Sequence, residues 1–164
     1  MNVQSTQADI LRALAPLTST YLEVGVQEGK SFVIVCKANP ALTFVTLCDT
    51  WGRKSGGTGR GSHDHIPLPP LTKVHFLDGD SCELLPLISG PTFGLVHIDG
   101  GHSYEVALSD LMNGWRLCHD TMVVHDITFT EVWQAFCEFA KTLEEDTNVE
   151  VYFGGHGTAV VRRR

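Results

Sequence analysis

Five short apolar runs, each carrying or closing on an acid, recur along the chain: Thr20–Val26, Thr43–Asp49, Lys73–Asp78, Thr92–Asp99 and Thr121–Asp126. Their length and their bounding by Gly, Pro or Asp predict buried strands. Between them the apolar positions shift to helical spacing. Residues from about Ser5 to Leu17 place Ile10, Leu11, Leu14 and Leu17 on one face, with Ser5 or Thr6 as N-cap. Tyr104–Leu117 does the same with Val106, Leu108, Leu111, Met112 and Trp115, and a further helix is expected from about Thr130 to Leu143. Ser81 caps a short helix through Leu87, closed by Pro86 and Gly90. Ser31–Lys37 is rich in β-branched residues, yet its place between two strands predicts a crossover helix, ended by Asn39-Pro40. The tail pairs Val149–Phe153 with Thr158–Val161 across Gly154-Gly155-His156-Gly157, a hairpin signal. One α/β domain over residues 1–164 follows, with strands and helices alternating before the hairpin.

The first strand runs into the turn Glu23-Val24-Gly25-Val26-Gln27-Glu28-Gly29. Gly25 and Gly29 permit positive φ and close approach of a ligand to the backbone. The spacing is E-x-G-x-x-x-G rather than the G-x-G-x-x-G of a dinucleotide site, and Glu23 would repel a phosphate but attract a cation. Asp49 ends the second strand 24 positions beyond Gly25, near the spacing at which an acid accepts from ribose hydroxyls. Trp51 can cover an adenine face or cap the core, and Asp80 with Ser81 can meet an adenine edge. This turn resembles the first motif of the class I S-adenosylmethionine-dependent methyltransferases, whose ligand carries a sulfonium and no phosphate.

The composition narrows the partners. A net charge of −7 argues against nucleic acid, which needs a basic face. The five cysteines are scattered without any C-x-x-C, so neither a zinc site nor a disulfide framework is indicated, and a reducing cytoplasm is expected. No apolar run approaches the roughly 18 residues of a membrane span. Residues 52–70 are rich in Gly and Pro and read as a mobile loop near the cofactor. His63 and His65 within it read as solvated loop rather than a metal clip.

Two strand ends carry the candidate chemistry: Asp99-Gly100-Gly101-His102-Ser103-Tyr104 and His125-Asp126. At the carboxyl edge of a parallel sheet, Asp99, His102, His125 and Asp126 can converge on the ligand crevice. I-D-G-G-H-S-Y-E, then Asp110, then V-V-H-D resembles the class I methyltransferase subgroup with a D-G-x-H-x-Y motif, which includes macrolide sugar O-methyltransferases and cephalosporin-pathway relatives. The resemblance spans about Thr20 to Val161. It implies a Rossmann-like, doubly wound, mostly parallel seven-stranded sheet with an antiparallel last strand.

It further implies S-adenosylmethionine bound by Glu23, Gly25, Gly29, Asp49, Trp51, Asp80, Ser81 and Asp99. Mg2+ at Asp99, His125 and Asp126, catalysis by His102 and Asp99, and a small-molecule hydroxyl as acceptor complete that picture. Two departures stand out. His125 replaces a carboxylate found in many metal-dependent relatives, and Cys118-His119-Asp120 replaces the usual Gly-Gly before strand five. The chain also lacks insertions that build a substrate pocket, so a homo-oligomer can supply walls. Two other readings stay open: a metal-dependent hydrolase using Asp99, His102, His125 and Asp126, and a non-catalytic module that keeps the ligand site.

Overall fold

A computed structural model of the chain describes residues 2–52, 62–70, 72–90 and 92–164. Its strands are β1 (Thr20–Val24), β2 (Phe44–Asp49), β3 (Lys73–Asp78), β4 (Phe93–Ile98), β5 (Cys118–His125), β6 (Asn148–Tyr152) and β7 (Thr158–Arg162). The helices are α1 (Gln7–Leu14), α2 (Lys30–Ala38), α3 (Ser81–Leu84), α4 (Tyr104–Leu117) and α5 (Thr130–Ala140). One sheet runs β3-β2-β1-β4-β5-β7-β6, parallel through β5, with β7 antiparallel to both of its neighbours. The chain winds outward from β1 to β3, then returns to the other side of β1 with β4. The reversal between β1 and β4 opens a crevice at their carboxyl ends, where ligands bind in such sheets.

Each face of the sheet has its own core. Leu22, Val24, Val96, Ile98, Met122 and Val124 pack beneath α4 and α5. Tyr21, Val45, Leu47, Leu95, Val123 and Val160 pack beneath α1 and α2. β4 lies at the centre and is buried at all six positions, which is why its sequence is continuously apolar apart from His97.

Tertiary burial decides the one ambiguous element. In α2, Phe32 and Val35 are both fully buried. Each such side chain contributes roughly 1.5–3 kcal/mol, more than the propensity penalty of at most about 0.7 kcal/mol for a β-branched residue in a helix. Gly29, at φ 71°, starts that helix from a left-handed N-cap. In α1 the cap is Thr6, whose side chain accepts from the Asp9 amide while Asp9 reaches back to the Thr6 amide. Pro86 tightens the end of α3 into a 3-10 turn over Leu85–Leu87. α5 stops at Ala140, three residues short of the expected Leu143. β5 begins directly at Cys118, with a register irregularity opposite Phe93 and Leu95 where a Gly-Gly turn was usual.

Of the segment expected to be a mobile loop, residues 53–61 lie outside the described residues. Residues 62–70 fold back over the glycine turn: His65 Nε2 lies 3.0 Å from the Gln27 carbonyl. Ile66 is buried, and a Cβ added at Gly29 would come within 2.7 Å of its side chain.

Candidate active site

The turn after β1 is fixed by backbone and carboxylate together. Gly25 sits at φ 83°, and a Cβ there would lie 1.9 Å from the Asp99 carbonyl oxygen, so only glycine lets the β1 and β4 ends meet. Asp49 reaches across from β2: its Oδ2 accepts from the amides of Val26 (2.7 Å) and Gln27 (2.8 Å), and Oδ1 accepts from the Trp51 amide (2.6 Å). A carboxylate offers about four lone-pair positions, so Oδ1 keeps one for a ligand hydroxyl. Asp49 therefore shapes the turn as well as facing the crevice.

Glu23 is placed differently from a residue that meets a ligand. It is fully buried on the α1/α2 face, accepting from the Tyr21 hydroxyl (2.9 Å) and the Ser31 hydroxyl (2.7 Å). Strand alternation puts it on the same face as Tyr21, and β1–β4 register sets it opposite His97, whose Nδ1 is 3.7 Å away. Burial alone would lower the pKa of His97, but the Glu23 hydrogen bond and the charges of Asp99 and Glu23 outweigh it and raise the value. The Gln7 side-chain nitrogen lies 2.8 Å from His97 Nε2 and donates to Asp99 Oδ2 at 2.7 Å. A continuous polar chain thus runs through the interior from Ser31 and Glu23 to Asp99.

At the crevice the strand ends converge. His125 Nδ1 lies 2.9 Å from Asp99 Oδ1 and 3.2 Å from Asp126 Oδ1. His102 Nε2 lies 2.8 Å from Asp126 Oδ2, with its ring half-exposed and stacked on Phe129 at 4.8 Å. Burial would raise the pKa of Asp99, yet the His125 hydrogen bond, the charges of His97 and His125 and the Gln7 hydrogen bond bring it down to about 2. Asp99, His125 and Asp126 offer ligand atoms all within 4.8 Å of one another. Among the described residues this is the one group of that kind, and it is the set expected from the sequence. Asp126 takes φ 58°, a left-handed conformation that an Asp tolerates.

A family model for a methyltransferase domain matches residues 22–127, which hold the glycine turn and Asp49, Asp99, His102, His125 and Asp126. The chain belongs to this methyltransferase family. No curated protein matches the sequence. Among solved structures, the methyltransferase is similar to the Streptomyces achromogenes O-methyltransferase TomG, solved with S-adenosylmethionine. The TM-score is 0.71 at 16% identity, covering 97% of this chain and 81% of that one. A Bacillus cereus O-methyltransferase in complex with S-adenosylhomocysteine gives 0.68 at 14%, covering 99% and 83%. A Klebsiella pneumoniae protein described as a putative O-methyltransferase gives 0.71 at 16%, covering 98% and 81%. At these identities the likeness shows the fold, and nothing in it favours a hydrolase.

Elsewhere in the methyltransferase, Trp51 is 1% exposed, its indole donating to Asp78 at 2.8 Å. Of the two roles open to it, this burial fits the cap on the core. Asp80 caps α3, accepting from the Cys82 amide at 3.0 Å, and Ser81 begins that helix. Cys36, Cys48 and Cys118 have pKa values pushed up to about 12, chiefly by burial; Cys48 and Cys118 are core residues and Cys36 is half-buried beside the core. No helix among the described residues is long and apolar enough to cross a membrane.

Sequence reasoning missed Gln7 and His97. His97 carried a signal, a polar residue in an otherwise apolar strand paired with an acid in the next. Gln7 carried none, because its contact crosses 92 positions to Asp99.

Proposed function

We propose that this chain is an S-adenosylmethionine-dependent O-methyltransferase acting on a hydroxyl of a small molecule, a sugar or glycosylated metabolite. The observation that supports it best is the meeting of the glycine turn with the His102–Asp126 pair at one sheet edge. The donor's sulfonium supplies an electrophilic methyl group. The donor would lie against the glycine turn, whose tight backbone Gly25 and Gly29 permit, with Asp49 Oδ1 accepting from its ribose and Asp80 and Ser81 meeting its adenine edge. Asp99, whose carboxylate stays ionised, would lie toward the sulfonium end. Glu23 and Trp51 support this pocket from inside the core rather than by direct contact.

Methyl transfer is an in-line displacement: the acceptor oxygen forms a bond to carbon as the carbon–sulfur bond breaks, and the hydroxyl proton must leave. His102 Nδ1 takes that proton, while Nε2 faces Asp126, which orients the ring and stabilises the imidazolium that results. A divalent ion fits the spacing of Asp99, His125 and Asp126 and would lower the pKa of the hydroxyl. Asp126 then serves both groups, one oxygen toward His102 and one toward His125.

The test is methyl transfer from labelled S-adenosylmethionine to a panel of sugars and glycosides. The expected product is a methyl ether formed with equimolar S-adenosylhomocysteine. His102→Ala should reduce turnover by about 100-fold or more while leaving S-adenosylhomocysteine affinity unchanged. Full turnover by that variant would overturn the base assignment.

A further inference from the structure

The metal-dependent relatives that the sequence resembles imply Mg2+ at Asp99 and Asp126, and the donor set in this chain disagrees with that ion. Mg2+ demands oxygen ligands in near-octahedral order and keeps much of its water. Here the middle donor is an imidazole: His125 Nδ1 stands between Asp99 Oδ1 at 2.9 Å and Asp126 Oδ1 at 3.2 Å. Donors about 2.1 Å from a common ion lie about 3.0 Å apart at right angles and about 3.4 Å apart at the tetrahedral angle, so both pairs have the spacing of neighbours in one coordination shell, and the donor type distinguishes the ions. Imidazole nitrogen suits zinc-like borderline ions and not magnesium.

The outer contacts fix which oxygens face inward. Gln7 donates to Asp99 Oδ2 at 2.7 Å, which leaves Oδ1 as the free donor and turns it toward His125. His102 does the same for Asp126, engaging Oδ2 and leaving Oδ1. Both carboxylates are thus held from behind and present one oxygen each, the arrangement by which outer partners orient metal ligands. That support comes from α1 and from the β4–α4 turn, two separate elements, and is independent of the cluster itself.

We propose that Asp99 Oδ1, His125 Nδ1 and Asp126 Oδ1 form a site for a borderline first-row transition ion of the zinc and cobalt class, and that His125 makes the site select against Mg2+. The inference rests on the placement of the reactive edge given above, and not on methyl transfer itself.

Metal-stripped protein titrated with Co2+ in visible absorption tests it. One equivalent should bind with a d–d band that is displaced by equimolar Zn2+ and survives Mg2+ in about 100-fold excess. Asp126→Asn should weaken that band's titration, which separates this site from the other histidines. His125→Asp, making the set all-oxygen, should lower Co2+ affinity by at least about tenfold and allow Mg2+ to compete. Absence of the band, an unchanged titration in Asp126→Asn, or displacement by equimolar Mg2+ in the wild type would each overturn the proposal. So would an unchanged Co2+ to Mg2+ preference in folded His125→Asp, and if that variant fails to fold the wild-type competition decides alone. S-adenosylhomocysteine affinity measured on the same stripped protein separates the two readings. Its absence alongside intact cobalt selectivity would sink methyl transfer only, and its presence without that selectivity would sink the metal assignment only.

Discussion

Asp110 on α4 is fully buried, with no partner near enough to its carboxylate oxygens for a well-formed hydrogen bond and the Ser81 hydroxyl only in looser range. Its Oδ2 lies 2.7 Å from where a Cβ on Gly100 would stand. Burial raises its pKa to about 7, only partly offset by the Ser81 hydroxyl, and Asp80 raises it further. An acid whose folded pKa lies above its unfolded value of 3.8 is favoured in the native state when protonated. Between those two values the folded chain holds one more proton than the unfolded chain, so stability falls as pH rises and levels off above about 7. With about 1.4 kcal/mol per pH unit, the full loss is about 4 kcal/mol, of which more than half, about 2–3 kcal/mol, falls between pH 5 and pH 8. Asp110→Asn removes the titration and keeps the shape. The assay is urea unfolding of wild type and variant at pH 5 and pH 8. The variant should gain about 2–3 kcal/mol on the wild type over that interval, or roughly 5–10 °C in Tm for a chain of this size. Terms from other titrating groups cancel in the comparison. A stability difference that is the same at both pH values would refute the claim that Asp110 is a buried, proton-carrying acid.

Other predictions follow from the same geometry. Gly25→Ala should cost several times the roughly 1 kcal/mol expected for Gly155→Ala. Gly155 has φ 65° but nothing within 4 Å of an added Cβ, whereas at Gly25 the Asp99 carbonyl blocks it. Equal losses of stability in the two variants would contradict that account. Gln7→Ala should weaken Co2+ binding by about 10–100-fold through loss of the Asp99 Oδ2 contact, and unchanged affinity would remove Gln7 from the site. Asp99 has its pKa lowered to about 2, so its contribution to stability is present above 3.8 and lost as pH falls toward 2. Acid titration of Asp99→Asn should lack that loss, and a profile matching the wild type would count against the His125 contact.

The order of strands and helices was legible because each β run closes at a Gly, Pro or Asp and each helix shows its period. The meeting of Asp99, His102, His125 and Asp126 followed from a single rule, that parallel strands present their carboxyl ends on one edge. What the sequence hid was the direction of individual side chains. Glu23 stands beside the glycine turn in the chain, yet strand alternation turns it inward to Tyr21, Ser31 and His97. Trp51 was open to two roles, and a positive φ at its own position, 53°, sends the indole to Asp78 and the core. Gln7 belongs to a helix whose apolar face alone was readable, and no local pattern marks a polar contact made 92 residues away.

Calorimetric titration of S-adenosylhomocysteine into the wild-type chain and into Asp49→Asn tests the cofactor assignment most directly. Saturable 1:1 binding is expected, weakened in the variant because Asp49 both holds the Val26 and Gln27 amides and offers Oδ1 to the ribose. Absence of binding at millimolar ligand would contradict the account of this crevice as a methyl-donor site.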